Sequence, residues 1–150
     1  MSENRLYIIY APAVIAEIRE LNPALRVIYV LRNPIGRAWS SALMALERAE
    51  LALDEASDQW FIDHFRSFGS LARGDYEACL RSWHGVFGEQ ADSGYCAQIP
   101  AAKLERRVFG GLAHSVRENL LPVLRQIYFP RIAALERYLG TDLRAWRDVA

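Results

Sequence analysis

The segment from Arg26 to Ser41, RVIYVLRNPIGRAWSS, carries an uninterrupted apolar run that stops at Arg32-Asn33-Pro34 and resumes with helical spacing. No other stretch limits the fold as tightly. Val27, Ile28, Tyr29, Val30 and Leu31 are apolar at every position, the pattern of a strand covered on both faces in a parallel sheet. Asn33 suits a helix N-cap, and Pro34 suits the first helical position, where a missing N–H has no partner to lose. The sequence therefore predicts a central strand near 26–31 running directly into a helix that starts at Pro34.

Gly36, Arg37 and Ser40 are related by steps of three and four and so share a helical face, with Gly36 leaving space for a ligand. Arg32 can reach toward that face from the strand end. A phosphate there would receive charge-assisted hydrogen bonds from Arg32 and one from the Ser40 hydroxyl. The bland alternative makes Arg32 a surface cation, although a helix N-terminus disfavours positive charge. For Arg37 the competing reading is an outward ion pair, with Glu47 as one partner.

The run Leu31-Arg32-Asn33-Pro34-Ile35-Gly36-Arg37-Ala38-Trp39-Ser40 resembles the LRNPxxRAxS segment of PAPS-dependent sulfotransferases. Ser70 to Tyr76 (SLARGDY), followed by Leu80, Trp83 and Phe87, is similar to the S..RG.Y...L..W...F pattern of bacterial and heparan-type members. Leu121 to Trp146, with Leu124, Tyr128, Pro130, Ile132, Leu135, Leu139-Gly140 and Leu143, looks like the family's closing helices. The resemblance implies an α/β fold of the P-loop-NTPase-like type and transfer of a sulfuryl group from PAPS to a hydroxyl or amine acceptor. It further implies a 3′-phosphate clamp made of Arg32 and Ser40. Arg37, Gly36, Arg73 and Gly74 fall in the nucleotide-binding segments of the same pattern.

The family's opening loop, with the lysine that holds the 5′-phosphosulfate, has no counterpart here. No Gly-rich loop or lysine precedes Arg26, and Lys103 is the only lysine in the chain. The family's next apolar strand is also missing after Phe87, where Gly88 to Pro100 reads GEQADSGYCAQIP. The expectation is a single partial sulfotransferase-like domain over 1–150, truncated at its N-terminus, short of one internal strand and mostly helical. Catalysis is left open, with no base assigned. A sheet lacking strands invites self-association or a complementing chain.

Composition narrows the classes. At 150 residues and 52% hydrophobic, the chain can build a core. Zero formal net charge supplies no global field for nucleic acid or an acidic membrane, so any anion site must be local. Seventeen of the 18 basic residues are arginine, which favours bidentate anion contacts in principle but is better read as genome composition and carries little weight. Cys79 and Cys96 have neither metal-ligand nor CxxC spacing, and His64, His84 and His114 form no HxxxH pattern, so no metal is expected. With no signal-like leader and no apolar run of about 18 residues, the reading is a cytoplasmic protein.

Along the chain, Leu6 to Tyr10 reads as a short strand or an extended approach. A helix follows from Pro12 to Leu21, ended by Asn22-Pro23. The Pro34 helix is expected to run to about Leu53, with Asp54 capping the next. Gly69 to Gly74 reads as a loop and Asp75 to Phe87 as a helix carrying Tyr76 and Trp83 in its apolar stripe. From Lys103 the pattern is helical in pieces, broken at Gly110-Gly111 and near Pro130 and stopped at Gly140. Beside the sulfotransferase reading stand two others: a degenerate, non-catalytic module that binds a nucleotide or a partner, and a helical interaction protein.

Overall fold

The computed structural model describes residues 11–25, 27, 29–88 and 114–148. They divide between two compact units, one drawn from 1–31 with 76–107 and the other from 32–75 with 108–150.

In the first unit, α1 (Pro12–Leu21) packs against α5 (Tyr76–Phe87). Pro12 opens α1 at a position where its ring costs no hydrogen bond. Asn22 closes it and accepts a bond from the Ala24 amide at 3.2 Å, an Asx turn. Ile15, Tyr76, Cys79 and Phe87 are buried, and Arg19 donates to the Val86 carbonyl near the end of α5.

The second unit holds α2 (Pro34–Arg48), α3 (Asp58–Arg66), α4 (Phe68–Gly74) and α6 (Leu121–Leu139), with 3-10 turns at Glu118–Leu120 and Arg144–Trp146. The apolar residues of α2 recur at Ile35, Ala38, Trp39, Ala42 and Leu46, and all are buried. They meet Phe61 and Phe65 of α3 and Leu124 and Tyr128 of α6 in one core, where the Trp39 and Phe61 rings lie 5.1 Å apart. Arg117 holds the loop below this core. It pairs with Asp58 at 2.6 Å, donates to the Leu53 and Ala56 carbonyls, and lies 4.7 Å from the Phe61 ring centroid. Among the described residues, no helix is long and apolar enough to cross a membrane.

The expected α/β sheet is not formed: all regular structure among the described residues is helical. Residues 27 and 29–31 are irregular, and the expected interior strand is exposed at Val30, 69% accessible. A strand is stable only where a second extended segment takes up its ladder bonds, and the described residues offer none. Tyr29 instead sets its ring edge-on to Tyr76, with centroids 6.0 Å apart. Leu6 to Tyr10, Lys103 and Gly110-Gly111 lie outside the described residues, as does Cys96.

Other boundaries shift for local reasons. Helix α2 stops at Arg48, not Leu53, because Glu50 takes a left-handed φ of 55° and Leu51 N–H turns back to the Leu46 carbonyl at 3.1 Å. Ser57, not Asp54, caps α3. Residues 69–74 are helical rather than a loop, since the Ser67 hydroxyl caps α4 by accepting from Ser70 N–H at 3.3 Å. Helix α6 runs unbroken past Pro130 and ends, as expected, at Gly140 with φ 63°.

Two glycines test this packing in opposite directions. A Cβ on buried Gly74 would lie 2.4 Å from Tyr128 Cε1, so Gly74→Ala is expected to lower stability by about 1–3 kcal/mol in denaturant unfolding. A Cβ on Gly36 meets nothing within 4 Å, so Gly36→Ala should raise it by up to about 1 kcal/mol.

Candidate functional site

The polar side chains of residues 32–41 fall into two groups. Asn33 accepts from Ile35 N–H at 3.0 Å and donates to the Trp146 carbonyl at 2.9 Å, which fixes where α2 begins. Arg37 turns inward, not toward Glu47, and its Nη2 donates to the Ser70 carbonyl at 2.9 Å and the Tyr128 hydroxyl at 3.2 Å. Trp39 donates to the His114 carbonyl at 2.7 Å, and the Ser41 hydroxyl lies 3.3 Å from His64 Nε2. Arg32 and Ser40 make up the second group. Neither has a hydrogen-bond or ion-pair partner among the described residues; Arg32 is exposed and Ser40 half-buried.

Gly36 lies between them in sequence, exposed and with open space where a side chain would project. At about 100° per residue, Ser40 lies within about 40° of Gly36 around α2, on the turn that follows. The structure therefore leaves Ser40 beside the gap at Gly36, with Arg32 one residue ahead of the Asn33 cap. The first turn of α2 also supplies the partial positive charge of a helix N-terminus.

Comparison with protein-family models, with curated proteins and with solved structures finds no match to this chain. What its residues can do chemically rests on their geometry.

The remaining expected site residues, Arg73 and Gly74, sit at the end of α4. Arg73 Nε donates to the Gly69 carbonyl at 2.8 Å. Gly74 makes room for the Tyr128 ring and lies beside Arg37, whose Nη2 would be 3.3 Å from an added Cβ. These two residues join Arg37 on the side of α2 that faces α4 and α6, away from the Gly36 and Ser40 surface. Sequence spacing had put Gly36, Arg37 and Ser40 on one face, but the reach of the arginine stem carries the Arg37 guanidinium inward to Tyr128.

The sequence offered no sign of His64 or Ser41. His64 stacks on Trp60, with centroids 5.6 Å apart and planes 14° apart, one helical turn away on α3. That i, i+4 spacing was visible, but nothing in the sequence joins residue 64 to residue 41. Burial holds the His64 imidazole below its ordinary value of 6.5, and the charges of Arg73 and Arg37 add to the effect. Among the described residues, no group of three His, Cys, Asp or Glu side chains is placed to hold a metal ion.

The depressed His64 value has a definite sign for stability. Between the folded value and 6.5 the unfolded chain binds a proton that the folded chain refuses. The neutral-imidazole contribution is thus complete above pH 6.5 and fades as pH falls through that window. Thermal melting from pH 8 to pH 5 should show this loss, and His64→Gln should flatten it.

Proposed function

We propose that this chain binds the 3′-phosphate of an adenosine nucleotide at the start of α2, through the Arg32 guanidinium and the Ser40 hydroxyl. One observation carries the reading. Of the polar side chains between residues 32 and 41, these two alone lack a partner among the described residues, and at Gly36 there is open space where a side chain would project. An exposed guanidinium and a hydroxyl beside a helix N-terminus can together supply several hydrogen bonds to one phosphate.

The resemblance of residues 31–40 makes PAPS the donor and sulfuryl transfer to a hydroxyl or amine the reaction. In this reading the chain provides the nucleotide-holding half of the site, on a helical scaffold. Sulfuryl transfer also needs a cation at the leaving bridging oxygen and a base for the acceptor proton. Lys103, the only lysine, lies outside the described residues. The second reading is a module that holds the nucleotide without turning it over.

Calorimetry with adenosine 3′,5′-bisphosphate tests the binding. Arg32→Ala is expected to weaken it about tenfold or more, the effect of losing charge-assisted hydrogen bonds, and Ser40→Ala by a smaller factor. Absence of binding to the unmodified chain, or an Arg32→Ala variant that binds equally well, would overturn the assignment. Transfer of labelled sulfate from PAPS to an acceptor panel separates the enzyme from the binding module.

A further inference from the structure

The geometry points to a second anion site on the side of α2 that faces α3 and α4, where Arg37, Arg73 and His64 come together and would take a dianionic tetrahedral oxyanion such as sulfate or phosphate. This inference goes beyond the Arg32 and Ser40 reading and does not depend on it.

Two guanidinium groups are brought together by neighbouring peptide units. Arg73 Nε bonds the Gly69 carbonyl at 2.8 Å and Arg37 Nη2 bonds the Ser70 carbonyl at 2.9 Å. The two acceptors are consecutive carbonyls of α4, so both cations are anchored at one point of the chain, and the Arg37 charge acts on Arg73. His64 joins them from α3 through Ser41, which lies one turn beyond Arg37 on the same face of α2. Successive positions advance about 100° around a helix, so the Arg37 and Ser41 face points about 100° away from the Gly36 and Ser40 face.

No carboxylate offsets this charge. The ion pairs among the described residues engage Arg81, Arg117, Arg144 and Arg147, none of which belongs to the cluster. Asp63, next to His64 in sequence, is turned to Gln59 on its own helix at 2.8 Å. The groups acting on His64 are the Arg37, Arg73 and Ser41 side chains from neighbouring helices and the Trp60 and Phe65 rings on its own. Arg73 is itself held below the ordinary arginine value, first by burial and then by Arg37 and Arg48, with only Tyr128 acting the other way.

Donors remain for a ligand. The bonds made by Arg73 use Nε alone and leave both terminal nitrogens unengaged among the described residues. Arg37 uses only Nη2, and its buried Nε has no partner. A dianion here would accept from the terminal N–H groups of Arg73, with the Arg37 charge and the His64 imidazole nearby. Cations that repel one another in its absence would then share a counter-charge.

The test is a sodium sulfate titration of the full chain, followed through the imidazole proton signals by NMR, with sodium chloride at matched ionic strength as control. Sulfate should raise the His64 pKa, and chloride at the same ionic strength should not. Arg73→Gln should weaken the sulfate response about tenfold or more, Arg73→Lys should retain most of it, and Arg32→Ala should leave it intact. Repeating the titration with adenosine 3′,5′-bisphosphate on Arg32→Ala distinguishes the source. A His64 response there means that the site accepts a nucleotide phosphate, and a response to sulfate alone means a free oxyanion. A wild-type His64 that follows sulfate no more than chloride, or an Arg73→Gln variant that titrates like the wild type, would overturn the site.

Discussion

The second unit depends on a single guanidinium. Arg37 leaves α2 to bond the Ser70 carbonyl on α4 and the Tyr128 hydroxyl on α6, while the fully buried Ser70 hydroxyl meets the same Tyr128 oxygen at 3.3 Å. Three helices therefore share one polar junction beside the Trp39 and Phe61 core. Hydrogen bonds from a charged donor contribute about 1.5–3 kcal/mol each, and a buried acceptor stripped of its donor costs a comparable amount. The junction also dictates Gly74, because only a residue without a side chain lets the Tyr128 ring pass over α4.

Arginine plays the same part elsewhere. Arg19 donates to Val86, Arg73 to Gly69, Arg117 to Leu53 and Ala56, and Arg131 to Ile127, in every case to a main-chain carbonyl. A scaffold of short helices has many helix ends and loops whose carbonyls need donors. The planar five-donor fork of arginine can serve several acceptors at once, as Arg117 does, where lysine would offer one compact charge. The arginine-rich composition thus has a structural use in this fold, whatever its origin.

Signals confined to a few residues were legible in the sequence. Asn33-Pro34 named the start of α2, Pro12 that of α1 and Gly140 the end of α6, because a cap or a left-handed turn is decided by its own atoms. Readings that needed a distant partner failed. The run 27–31 has the composition of a strand, but a strand exists only with a neighbour to bond. Gly69 and Gly74 looked like loop punctuation, yet Gly74 answers to a ring 54 positions away at Tyr128. Helix α2 ended without a glycine, since Glu50 itself accepted the left-handed conformation. Pro130 was read as a break, but it sits exposed on α6 and costs the helix the bond to the Gln126 carbonyl without interrupting it. Arg32 and Ser40 were marked by sequence as residues to watch, while the cluster around His64 required three helices to be in place before it existed.

Asn33 carries a consequence for the order in which the fold matures. Its oxygen caps α2 locally, through an amide two residues away, but its nitrogen waits for the Trp146 carbonyl, 113 positions further along the chain. The helix can therefore nucleate as soon as its own residues are made. Its first turn is anchored only after residue 146 has been synthesised and the long intervening loop has closed, a step that chain entropy makes slow. Until then the turn beside Arg32 is free to fray, so a helix start encoded by its own residues is held in place only when residue 146 arrives.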